Sequence, residues 1–223
     1  MVQADSLGSY LPLGRLNHFM TSLPLCCFAP VSWYVLYADE NFCLAKDEYF
    51  QKQTYRNRFD ILTGNGVQTL TIPIESTGGE RKLLRDIRIS PEYNGKKTLQ
   101  AIRSAYGNSA MYDFIEQELE ELFLKDEKFL FDFNMNAHDW TCRWFPKVLG
   151  ERSTESKVVS QKSTESKILD ERWKQRGTRP VELKSYPQVF ADRFPFEKDL
   201  SILDAIFNLG KTSMKSLGHV NNS

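Results

Sequence analysis

Neither sign of charge prevails in this chain of 223 residues: 29 Lys and Arg stand against 29 Asp and Glu. Nucleic-acid binders neutralise phosphates with surplus base, so this balance argues against that class. Cysteine is scarce and poorly placed. Cys26, Cys27, Cys43 and Cys142 form neither a CxxC pair nor a Cys/His ligand spacing. They therefore read as small apolar fillers in a reducing cytoplasm, not as a disulfide framework or a zinc site. Histidine is rarer still: His18, His138 and His219 are isolated, so no His-centred triad or metal site is expected. Long uncharged runs are also lacking, apart from residues 19–38. That stretch is long enough to span a bilayer, but Pro24 and Pro30 interrupt it. Arg15 is the only Lys or Arg before it, and Trp33 and Tyr34 stand where a cleavage site needs small residues. We expect a cytoplasmic strand-turn-helix there, without stable membrane insertion.

What the chain does have is apolar and aromatic residues, 41% and 13% of its length. That is enough for one domain with a full core. Met20 opens the first patterned segment, so either translation starts there or residues 1–19 form a loose arm. Residues 23–28 read as a buried strand, 31–37 as a short helix and 42–45 as a second strand, together the size of a parallel crossover. Residues 55–62 alternate on a period of two, with Tyr55, Asn57, Phe59 and Ile61 on one side and Arg56, Arg58 and Asp60 on the other. Gly64-Asn65-Gly66 supplies a tight turn, residues 67–74 return as the partner strand, and 85–89 read as a further short strand.

The middle is helical, over 97–106 and 110–124, each with one apolar stripe. Residues 129–133 look like a strand. Asn134 or Asn136 then caps a third helix carrying Ala137, Trp140, Trp144, Phe145 and Val148, with Gly150 as its stop. Residues 151–180 form a polar excursion or lid in which Ser153-Thr-Glu-Ser-Lys157 recurs as Ser163-Thr-Glu-Ser-Lys167, and 157–160 between them suit a strand. Asp199 is read as the cap of a last helix bearing Leu200, Leu203, Ile206 and Phe207, with Gly210 as the stop. Residues 211–223 lack periodicity and are expected to fray. The expected fold is a single α/β domain over 20–210: a mixed sheet with an N-terminal parallel β-α-β unit and an antiparallel hairpin, covered by helices.

The best local chemical signal is basic. Arg56 and Arg58 on one strand face would lie about 7 Å apart, with Lys52 further along, a spacing suited to gripping a phosphate or carboxylate. The other reading is an exposed face whose charge discourages edge pairing. Asn57, on the apolar side, either braces Gln51 or Gln53 or contacts substrate. Glu48, at the end of the second strand, stands where open α/β sheets collect ligands; it is a candidate general base or a solvated loop acid. Asp204 and Asn208 share a helix face, as a buried polar clamp or as the wet side. Loop 76–82 has glycines and bases that suit an anion but lacks Walker spacing.

Three stretches together resemble the WbqC-like protein family: Gln51-Lys-Gln-Thr-Tyr-Arg-Asn-Arg58, Gly64-Asn-Gly-Val67 with Leu70-Thr-Ile-Pro73, and Leu200-Ser-Ile-Leu-Asp-Ala-Ile-Phe-Asn-Leu-Gly210. Supporting matches are Ser104-Ala-Tyr106 with Tyr112, Asp132-Phe-Asn134 and Pro187-Gln-Val-Phe190. The resemblance runs over about 23–210. It implies a transferase passing a glycine, aminoacyl or acyl group to a sugar in surface polysaccharide or O-antigen biosynthesis. On that footing Glu48 and Lys52 are the candidate catalytic residues. Gln51, Tyr55, Arg56, Asn57, Arg58, Asp204 and Asn208 are candidates for binding an anionic small molecule, a nucleotide-sugar or an activated acyl donor. No cofactor is identified. Thr98-Leu99 replaces a His-Trp pair usual in the family, and Ala110 stands where a proline commonly follows Asn-Ser. Lacking that histidine, the chain also fits a non-enzymatic binder of an anionic ligand.

Overall fold

The computed structural model describes residues 21–39, 42–45, 47–145, 158–159, 181–212 and 214–220. The readings of residues 1–19, of Val148 and Gly150, and of most of 151–180 fall outside them. Strand β1 (Thr21–Pro24), helix α1 (Val31–Tyr37) and strand β2 (Phe42–Ala45) form the expected parallel crossover, in register from Thr21 opposite Phe42 to Pro24 opposite Ala45. Strand β5 (Val158–Val159) adds to the far side of β2 in parallel, giving the order β1-β2-β5. Every residue of α1 is buried, the condition of a helix apolar on all sides.

The hairpin forms, with strands over 58–63 and 66–71 where 55–62 and 67–74 were expected. Strand β3 (Arg58–Thr63) pairs antiparallel with β4 (Gly66–Thr71), from Arg58 opposite Thr71 to Thr63 opposite Gly66. Gly66 has φ 98°, which an L side chain rarely adopts. Phe59 and Ile61 are fully buried, while β4 lies largely in solvent. The hairpin and the parallel unit are separate sheets.

Helices α2 (Gly95–Tyr106) and α3 (Tyr112–Leu124) pack together. The Asn94 side chain caps α2 by accepting the Lys97 N–H at 3.3 Å. A β-carbon on Gly95 would lie 2.2 Å from the Phe123 carbonyl oxygen, so only glycine lets the two helix ends meet.

Strand β1 lies over 21–24 where 23–28 was expected, and three elements differ in kind from the sequence reading. Helix α4 runs Leu130–Trp144, replacing the strand expected at 129–133 and leaving Asn134 and Asn136 inside the helix, not at its cap. Its buried stripe of Leu130, Phe133, Ala137 and Trp140 begins within the apolar run, where a period of three to four and a strand of alternating residues cannot be told apart. Residues 85–89 are not a strand either. A single 3-10 turn, Leu84–Asp86, precedes isolated bridges at Arg88 and Ile89, because Leu84 and Ile87 both turn inward. Last, residues 214–220 are not frayed: helix α6 (Met214–Leu217) leads to strand β7 (Gly218–Val220), which pairs antiparallel with β6 (Val181–Leu183). Backbone pairing needs no side-chain periodicity, so the sequence carries no sign of it.

Helix α5 (Ile202–Leu209) is capped by Ser201, whose hydroxyl accepts the Leu203 N–H at 3.3 Å. Asp199, expected in that role, instead caps α1: its Oδ1 accepts the Ser32 N–H at 3.0 Å. The same region fixes the β1–α1 loop, since the Ser201 hydroxyl donates to the Phe28 carbonyl at 3.0 Å. Phe28, fully buried, holds φ 42° and packs among Phe59, Phe123, Phe133 and Trp140 at the centre of the core.

Candidate functional site

Glu48 follows β2 by a few residues and so reaches the carboxyl edge of the parallel unit. Its Oε1 accepts the N–H of Leu25, the residue that follows β1, at 2.8 Å. Its Oε2 accepts from Arg56 Nε at 3.1 Å and also from Arg56 Nη2. The glutamate therefore joins the ends of both parallel strands to the segment that enters the hairpin. The pair is largely withdrawn from water, with side-chain exposures of 13% for Glu48 and 3% for Arg56. Thr54 Oγ1 accepts a further N–H from Arg56 Nη1 at 3.2 Å, and Asn134 of α4 donates its Nδ2 to the Arg56 carbonyl at 2.7 Å.

Arg56 thus lies outside the strand, which begins at Arg58. The expectation of two arginines on one strand face is corrected: Arg56 turns inward to the carboxylate, while Arg58 starts β3. Arg58 is half-buried, its Nε is buried without a hydrogen bond, and it has no ion-pair partner among the described residues. Asn57 does not brace Gln51 or Gln53. Its Nδ2 donates to the Ile72 carbonyl at 3.0 Å, and its Oδ1 is buried without a partner. Asn134 Oδ1 is in the same condition. Six buried side-chain polar atoms lack a hydrogen bond among the described residues; besides those on Tyr93, Ser109 and Asp204, three belong to Asn57, to Arg58 and to the asparagine that holds Arg56. Of these three, two are acceptors and one is a charged donor. Buried polar groups are ordinarily satisfied, so unspent atoms on the two residues that follow Arg56 and on its helix partner set this segment apart.

Tyr55, half-buried, donates its hydroxyl to Asp60 Oδ2 at 2.9 Å, and Thr69 donates to Asp60 Oδ1 at 2.5 Å. Asp60 shares its strand face with Arg58. Lys52 is exposed, and Gln51 is half-buried with its carbonyl accepting from Thr54 Oγ1 at 2.8 Å.

Asp204 belongs to a second group, on α5. Its Oδ2 accepts from Tyr186 Oη at 2.8 Å and Gln188 Nε2 at 2.9 Å. It is fully buried, and burial raises its carboxyl above the ordinary range despite the donors. Asn208, half-buried, donates its Nδ2 back to the Asp204 carbonyl at 2.7 Å. The buried polar clamp is the arrangement present at Asp204. The Ser201 N–H donates to the Asp60 carbonyl at 2.9 Å, which ties α5 to the hairpin edge. Sequence reasoning gave no site role to Thr54, Asn134, Tyr186 or Gln188, although all four lie in or beside the quoted motifs.

A cleft of ≈ 590 Å³ lies elsewhere, between the start of α2 and the end of α3, and another of ≈ 420 Å³ lies between the hairpin turn and α2. None of the candidate residues lines either one. Among the described residues no cluster of His, Cys, Asp and Glu could hold a metal ion, and no helix is long and apolar enough to cross a membrane.

Comparison with known proteins gives one match, to the model of the WbqC-like protein family, over residues 33–177. That is well over half of the chain and includes Glu48, the hairpin and α2 to α4. The motifs at 187–190 and 200–210 lie beyond it. No curated protein and no solved structure matches.

Proposed function

The chain belongs to the WbqC-like protein family, and from that premise we propose that it is a cytoplasmic transferase of surface-polysaccharide assembly, passing an aminoacyl or acyl group to a sugar. The observation that carries this reading is the set of unspent buried atoms on Asn57, Arg58 and Asn134, residues that follow or hydrogen-bond Arg56, the partner of Glu48. Arg58 supplies the charge-assisted donor for a phosphate or carboxylate of the donor substrate, with Lys52 assisting from the exposed side. The asparagine oxygens accept from hydroxyl or amino groups. Glu48 takes the proton from the attacking amine or hydroxyl. Arg56 holds that carboxylate in place. Gln51 and Tyr55 flank the site, and Asp204 and Asn208 brace its wall through α5.

A non-enzymatic binding role has one observation in its favour: both Glu48 oxygens are already engaged, by Arg56 and by Leu25. The experiment is a transfer assay over nucleotide-sugars and activated acyl donors, read by mass spectrometry alongside equilibrium binding. Glu48→Gln should keep donor affinity and lower turnover about 100-fold, and Arg58→Ala should weaken donor binding. Ligands that raise the melting temperature without any product establish the binding reading. Donor affinity unchanged by Arg58→Ala removes the site.

A further inference from the structure

Loop 76–82 is the one basic, glycine-containing motif of the sequence that the proposed site leaves unused, and the fold brings it alongside Glu48. The Leu84 N–H donates to the Glu48 carbonyl at 2.8 Å, the Phe50 N–H donates to the Lys82 carbonyl at 2.9 Å, and Tyr49 bridges Leu83. This short antiparallel pairing fixes Arg81 beside Tyr49. The Arg81 guanidinium lies 4.0 Å from the centre of the Tyr49 ring, and that ring is 43% exposed.

The carboxylates of these two segments are engaged with other cations: Asp47 with Arg85, Glu48 with Arg56, and Glu80 with Lys82 at 3.7 Å. Arg81 has no carboxylate partner among the described residues, and neither has Lys52, just beyond Tyr49 in the chain. Gly78 and Gly79 hold φ 63° and 85° with open space around them. The loop is therefore turned back by its own backbone and set in position by the pairing at 82–84.

We propose that Arg81, stacked on Tyr49, is a phosphate subsite at the rim of the candidate site, so that the donor is a phosphorylated molecule. A guanidinium held over an aromatic face keeps N–H groups free to donate and loses less freedom when a phosphate docks. The stacking leaves its charge unspent, whereas a carboxylate partner would consume it. A plain carboxylate ligand would need only Arg58. A second cation displaced to the rim fits a molecule with a second anionic centre, whether a nucleoside diphosphate or the phosphates of coenzyme A. The inference rests on the proposed function for its ligand class but uses different residues.

The test is isothermal titration of the full chain with pyrophosphate, uridine diphosphate and coenzyme A, comparing wild type with Arg81→Ala, Arg81→Lys, Tyr49→Leu and Arg58→Ala. Arg81→Ala should weaken at least one of the three about ten-fold. Arg81→Lys should not rescue it, since lysine keeps the charge but not the stacked fork. Tyr49→Leu should weaken the same probe at an unchanged melting temperature. Wild-type protein that binds none of the three at about 1 mM, or an Arg81→Ala protein that binds like wild type, overturns the proposal. If Arg58→Ala alone abolishes binding, the phosphate subsite falls and the proposed site stands. If Arg81→Ala alone weakens binding, the subsite stands and the role given to Arg58 falls.

Discussion

Removing either partner of the ion pair between Glu48 and Arg56 leaves the other charged and shielded from water. A broken buried pair typically costs about 3–5 kcal/mol, far more than the net worth of an intact one. Arg56→Met and Glu48→Gln should each destabilise the fold by about 3 kcal/mol. The double variant should lose less than the sum, with a coupling of about 2 kcal/mol in a denaturant-unfolding cycle. Additive losses would mean that the two groups do not depend on one another. At this scale the sequence told half the story. Glu48 and both arginines were marked for their chemistry, but the contact between Glu48 and Arg56 requires the β2 end to meet the hairpin entrance. No local pattern encodes that meeting. Gln188 was visible only as a motif letter and Asn134 only as a helix cap, because an amide inside a helix or loop discloses no partner.

Elements were legible where one face is buried and the other is wet. The stripes of α2, α3 and α5 and the Gly64-Asn65-Gly66 turn follow directly from the spacing of apolar and turn residues. Strand β7 did not, since its strand is specified by pairing with β6, and α4 was misplaced where an apolar run suits either period. Capping across elements was also hidden. Asp199 holds φ 61° while it caps α1; a polar side chain that tolerates the left-handed region is needed there. Asp199→Ala should cost about 2 kcal/mol, combining the lost cap with the strained backbone. Asp199→Asn should keep most of the stability. Thermal unfolding of the two variants distinguishes this from a loop in which both substitutions are silent.

For the molecule as a whole, stability should depend on pH through groups buried in the core. His138 on α4 is enclosed by Trp33, Tyr34 and Tyr37, with Cys142 Sγ 3.5 Å from its Nε2. Burial lowers its pKa from 6.5 to about 4. The folded imidazole is neutral where the unfolded one takes a proton, so its contribution is complete above pH 6.5 and falls as pH drops toward 4. Asp204 acts with the opposite sign. Its raised carboxyl favours the folded state in acid, and that advantage is lost as pH rises through the folded value. Comparing variants isolates the histidine: the cost of His138→Gln should shrink by about 2 kcal/mol between pH 7 and pH 5. A cost independent of pH would place His138 in contact with water.

Glu48 also binds more than its arginine. Its side chain reaches the turn after β1, its carbonyl receives Leu84, and its partner arginine is gripped from α4. Transplanting the 51–58 motif into another scaffold would therefore deliver an unanchored peptide. An engineer who wished to move the chemistry would have to graft four separate stretches of chain together, and shuffling homologous loops one at a time should yield mostly insoluble chimeras.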